Sequence, residues 1–138
     1  MTHSDEARRA ENRSAVDAQE RLRTELLTSG LYDWVPLAEV DSIIIDNHLT
    51  ETLPAQQDLT LQTIRSLVED GLMEIGDLPS QGSRLLTWDV PLDAALTRIS
   101  DRFIGHYDDT ATWGFSVWLG LTEAGERVAR ELENRTAD

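Results

Sequence analysis

The stretch DLTLQTIRSLVEDGLMEIGDL, residues 58–78, decides how the chain is read. Leu61, Ile64, Leu67 and Val68 recur at helical spacing, which gives residues 59–70 an apolar face and predicts a helix there. Asp58 stands at its N-cap, where a carboxylate accepts from backbone N–H groups that lack an intrahelical partner. Gly71 stops it, since glycine enters the left-handed conformation without a Cβ penalty. Beyond it Leu72, Glu74 and Gly76 alternate with Met73 and Ile75, the alternation of a short strand over 72–76.

Working outward, residues 1–13 have mixed charge and no periodicity and are expected to lack order. Val16, Leu22, Leu26 and Leu27 predict a first helix over 15–29, with Gly30 as its stop. Tyr32–Pro36 reads as a turn, and Leu37, Val40, Ile43 and Ile44 predict a second helix over 37–48. Residues 50–57 read as a loop. Downstream, Pro79 and Gly82 mark a turn in LPSQGS (78–83), residues 84–88 a strand, and 91–104 a helix. Residues 105–114 read as a polar loop, 115–121 as a strand and 122–134 as the last helix. The expected fold is therefore α+β, about five helices with a small antiparallel sheet. Residues 14–138 form one domain in this reading, with the helix at 91–104 inserted between strands.

Three helices, a strand, and a later strand closing on Leu121-Thr122-Glu123-Ala124-Gly125 resemble the winged-helix superfamily, particularly MarR- and PadR-type regulators. The likeness covers about 37–76 and 115–133, with Leu121, Thr122 and Gly125 matching the family's Leu-Thr-x-x-Gly sequence. It implies a winged-helix-like fold whose third helix, 58–70, would offer Gln62, Thr63, Arg65 and Ser66 to DNA bases. It also implies a homodimer through the terminal helices. The departure is residues 77–114, which hold a helix where a simple wing belongs. The spacing of Asp33-Trp34, Gly71-Leu72-Met73, Trp88 and Trp118-Leu119 is also similar to that of small bacterial proteins, which implies no activity.

Composition narrows the function. The chain of 138 residues has no cysteine, and all twelve basic residues are arginine. Thiol chemistry, disulfides, zinc–thiolate sites, Schiff-base lysine and phosphate-loop lysine are all excluded. No serine sits in a glycine-flanked elbow, and His3, His48 and His106 have no metal-ligand spacing. Asp108 and Asp109 beside His106 make at best a weak cation site, and a polar loop is the simpler reading. No enzyme, cofactor or metal is expected. The absence of a long apolar run argues against a membrane span and for a cytoplasmic protein.

Net charge is −14, and residues 31–60 carry six acids and no lysine or arginine. Such a field opposes phosphate backbones and favours a cationic partner. The third helix sets Arg65 among Asp58, Glu69 and Asp70, a poor platform for phosphate contacts, so nucleic acid is not the expected partner. The expected function is an acidic module that binds a basic protein, of the inhibitor, immunity or antitoxin kind. Asp33, Glu39, Asp41 and Asp46 supply its charge, and Trp113, in the loop, is its exposed aromatic anchor. The alternative is a DNA-binding transcription regulator acting as a dimer.

Overall fold

The computed structural model describes residues 2–78 and 84–137, and the side chains of 16–78 and 84–135. Six helices and four short strands alternate along the chain. They run α1 (Thr2–Gly30), β1 (Val35–Pro36), α2 (Leu37–Asp46), α3 (Leu53–Glu69) and β2 (Met73–Asp77). Then come β3 (Leu86–Thr87), α4 (Leu92–Phe103), α5 (Thr110–Trp113), β4 (Trp118–Leu121) and α6 (Glu123–Ala137). The strands make one antiparallel sheet in the order β1-β4-β2-β3. The class is α+β, as the sequence predicts, with one helix more than expected.

The centre of the sheet is β4 against β2, in a register that places Leu119 opposite Ile75. Both side chains point into a core shared by Leu22 and Leu26 of α1, Leu37 and Ile44 of α2, and Ile64 and Leu67 of α3. Ile99 and Phe103 of α4 and Ala129 of α6 complete it. The C-terminal half of α1 is thus the hub: it touches α2, α3, α6, β1 and β4. Four apolar positions, Ala18, Leu22, Leu26 and Leu27, suffice for that because all four are buried. Of ten residues expected from the sequence to be buried, Leu37, Val40, Ile44, Ile64, Leu67, Leu96, Ile99 and Leu119 are buried, and Val68 and Val128 are half-covered.

The Leu-Thr-x-x-Gly sequence has a physical explanation. Thr122 follows β4 and faces the Gly71 turn, where its N–H donates to the Leu72 carbonyl (3.1 Å). Its hydroxyl donates to the Gly71 carbonyl (2.6 Å) and accepts from the Gly125 N–H (3.0 Å), capping α6. Gly125 then lies so close to the Leu72 carbonyl oxygen that a Cβ would collide with it. Gly71 is required for another reason: its φ is +72° with open space around it. The two glycines stitch the end of α3 to the start of α6.

The element boundaries correct the sequence reading in four places. First, α1 takes in residues 2–13, which were expected to lack order. Residues 6–13 are mostly Ala, Glu and Arg, whose helix propensity supports a helix without an apolar face. Second, α3 begins at Leu53, not at 59. Thr52 is the N-cap, accepting from the Ala55 N–H (3.2 Å), with Pro54 in the first turn; Asp58 lies inside the helix and is exposed. Third, Val35–Pro36 is a strand rather than a turn. It pairs with Leu119 and Trp118 at the edge of the sheet, where proline's missing N–H is tolerated. Fourth, residues 105–114 contain α5. The turn expected at 78–83 falls, apart from Leu78, outside the described residues.

Candidate protein-interaction surface

Helix α2 has two sides, and the acids of residues 31–60 divide between them. Glu39 sits in its first turn, where a carboxylate complements the helix dipole. It accepts from the Ser29 hydroxyl of α1 (2.5 Å). Glu39, Ile43 and Ser29, with Glu25, Thr28 and Tyr32, line a shallow cleft of about 320 Å³ between α1 and α2. Farther along α1 the surface carries Asp17, Glu20 and Glu25 with a single base, Arg21. That arginine pairs with Glu25 (3.2 Å) and donates to Asn47 at the C-cap of α2 (3.2 Å). Asp46 is exposed at the same end of α2. Thus Asp33, Glu39 and Asp46 are spread along the outer side of α2 and its entry turn, two exposed and Glu39 half-covered.

The turn between α1 and β1 supplies the aromatic of this surface. Tyr32 is 76% exposed, and its hydroxyl donates to the Glu133 carboxylate on α6. That hydrogen bond raises the phenol above its ordinary 10.0, with burial and the charge of Glu133 acting in the same sense. Asp33 turns back to accept from the Trp34 N–H (2.8 Å). A second cleft, about 330 Å³, opens on this side among Leu31, Tyr32, Asp33, Trp34, Leu121 and Glu126.

Two predicted partner-binding residues face the other way. Asp41 is only 8% exposed and points toward α3 and the 105–114 segment. It accepts from Gln56 Nε2 (2.5 Å) and from the Tyr107 hydroxyl (3.0 Å), while Gln56 Nε2 also reaches that hydroxyl (2.8 Å). Burial, and then the bond to Asp41, raise the Tyr107 phenol above 10.0. Trp113 is 1% exposed and so is no surface anchor. Its ring stacks on Tyr107 (centroids 5.5 Å, 12°) and meets Phe103 edge-on (4.7 Å), and its Nε1 donates to the Tyr107 carbonyl (3.0 Å). Asp41 and Trp113 hold the fold together. Neither contact is a local one, because Gln56 and Tyr107 lie 15 and 66 residues from Asp41.

The residues offered to DNA by the resemblance are likewise redistributed. Gln62 is exposed, but Thr63 is fully buried. Arg65 pairs with Glu69 (3.4 Å) and with Asp93 of α4 (3.1 Å). Ser66 accepts from Arg23 of α1 (2.5 Å), and Arg23 also pairs with Asp70 (3.0 Å). Helix α3 packs against α1, α2, α4 and β2, so the inserted helix lies on the helix that would have to enter a groove.

His48 is exposed in the left-handed turn after α2, and His106 is exposed beside Asp108 and Asp109 on a cleft of about 490 Å³. Among the described residues no group of three or more His, Asp or Glu is placed to hold a metal, and no helix is long and apolar enough to cross a membrane. Compared with known proteins, the chain matches no family model, no curated protein and no solved structure. Charge and geometry therefore carry the functional argument.

Proposed function

We propose that this protein is a non-enzymatic, acidic, winged-helix-like module that binds a basic protein in the cytoplasm, as an inhibitor of the immunity or antitoxin kind does. The observation that carries this reading is the outer side of α2. Among the described residues Asp33, Glu39 and Asp46 make no ion pair, and residues 31–60 hold no lysine or arginine to supply one locally. Unneutralised acids beside exposed Tyr32 and Ile45 form a surface that a cationic partner complements, speeding encounter in a salt-dependent way. The winged-helix part of the reading is supported by the helix–glycine–strand junction at Gly71 and by the Thr122–Gly125 contact onto it.

In-cell photocrosslinking tests the proposal. A benzophenone amino acid at Ser42, exposed on α2, is expected to capture a basic protein, and Asp33→Lys with Glu39→Lys is expected to abolish the capture. Capture unaffected by the double reversal would refute the electrostatic reading.

The alternative, a dimeric DNA-binding regulator, draws on one observation: Gln62 and Arg65 share the outer face of α3. A symmetric homodimer contact through the terminal helices α1 and α6 is proposed under either reading. Within one chain these two helices already pack together, and exposed Val16 is an apolar residue of α1 left for a second copy.

A further inference from the structure

Tyr32 is the residue that the two clefts at the α1–α2 junction have in common. One of them also holds Glu39, with the aliphatic wall of Ile43; the other holds Asp33, with Leu121. Each cleft thus holds one carboxylate that no arginine neutralises among the described residues. The contacts of Asp33 and Glu39 are with neutral donors, the Trp34 N–H and the Ser29 hydroxyl. The ring is also held in place. Tyr32 sits in a turn closed by its own N–H on the Ser29 carbonyl (3.1 Å), and its hydroxyl is tied to Glu133. A large aromatic that is 76% exposed yet anchored at both backbone and hydroxyl loses little further freedom when a ligand covers it.

We infer that Tyr32 is the anchor of the interaction surface and that it receives an arginine side chain from the basic partner. The guanidinium stacks on the exposed ring while its N–H fork bonds the Asp33 or Glu39 carboxylate. This inference rests on the basic-partner reading and narrows it to one side-chain chemistry. Arginine suits the site better than lysine for two reasons. A planar, weakly hydrated guanidinium stacks flat on an aromatic face, and its donors match a carboxylate two at a time; an ammonium meets the ring only as a strongly hydrated point charge and has no matched pair of donors. The apolar walls of Ile43 and Leu121 accommodate the methylene stem that either side chain carries.

Titration calorimetry with hexa-arginine and hexa-lysine separates this inference from the broader reading. The intact protein is expected to bind hexa-arginine about three- to fivefold more tightly than hexa-lysine, the size of an exposed cation–π contact. Tyr32→Ala lowers the preference to what the carboxylates alone give, with circular dichroism confirming that the fold is kept, and Tyr32→Phe preserves most of it. Asp33→Asn with Glu39→Gln weakens both peptides together. Equal affinity for the two peptides, or a preference undiminished by Tyr32→Ala, overturns the arginine anchor and leaves the acidic surface standing. Failure of both peptides to bind overturns both.

Discussion

Asp41 and Glu39 are two residues apart on one helix, belong to the same run of unbalanced acids, and have opposite fates. Glu39 lies on the outer side of α2 against a serine hydroxyl at the rim of a cleft. Asp41 is turned inward to a tyrosine and a glutamine and helps to fasten α2 to α3 and to the segment before α5. Net charge alone cannot distinguish them, because a helix places alternate acids on opposite sides. What decides is whether a partner from elsewhere in the chain can satisfy the buried carboxylate, since a charge removed from water without hydrogen bonds is costly.

The largest expected effect that probes this contrast is on the inward side. Trp113→Ala empties the space between Phe103 and Tyr107 and removes the hydrogen bond to the Tyr107 carbonyl. It should cost about 3–5 kcal/mol in chemical denaturation. A loss under about 1 kcal/mol would return Trp113 to the surface role the sequence suggested.

Next comes the pair itself. Asp41→Ala removes the acceptor that the Tyr107 hydroxyl and the Gln56 amide share, leaving them only each other, and should cost about 1–3 kcal/mol. Glu39→Ala, where the carboxylate's only hydrogen-bond partner among the described residues is the half-covered Ser29, should stay within about 0.5 kcal/mol. Equal losses at the two sites would erase the contrast.

The smallest effect is a titration. The chain has two tyrosines, and both phenols are raised above 10.0, Tyr107 chiefly by burial and Tyr32 by its bond to Glu133. A folded phenol that keeps its proton longer than the unfolded one contributes stability that is whole below the unfolded value. That contribution is lost as pH rises through the folded value. Ultraviolet difference absorbance should therefore show no tyrosine ionising at its ordinary pH in the native protein. Tyr107→Phe should flatten the decline in stability above about pH 10. A full one-tyrosine step at the ordinary value would contradict one of the two environments.

Much of the fold was legible in the sequence because it rests on local signals. The α3–Gly71–β2 junction is written in apolar spacing and one glycine, and the strand that ends at Leu121-Thr122 is legible too, but not which of the two earlier strands it pairs with. The site was less legible. Asp33, Glu39 and Asp46 could be found from charge, but not which of the four acids folds inward. Tyr32 went unnoticed, although an aromatic beside an aspartate in the turn that opens an acid run was the available signal. Trp113 misled for a related reason. Its polar neighbours read as a loop, and the stacking that buries it needs Phe103 and Tyr107 to be brought together by the end of α4.

The central claim is that α3 is a structural helix beneath α4 and that the exposed acids beside it turn nucleic acid away. Electrophoretic mobility shifts against a genomic fragment library at about 150 mM salt test it most directly, because screening at that ionic strength weakens repulsion without reversing it. The account predicts no sequence-selective complex at nanomolar protein. A sequence-selective complex in that range, lost on Arg65→Ala, would contradict it and establish the regulator instead.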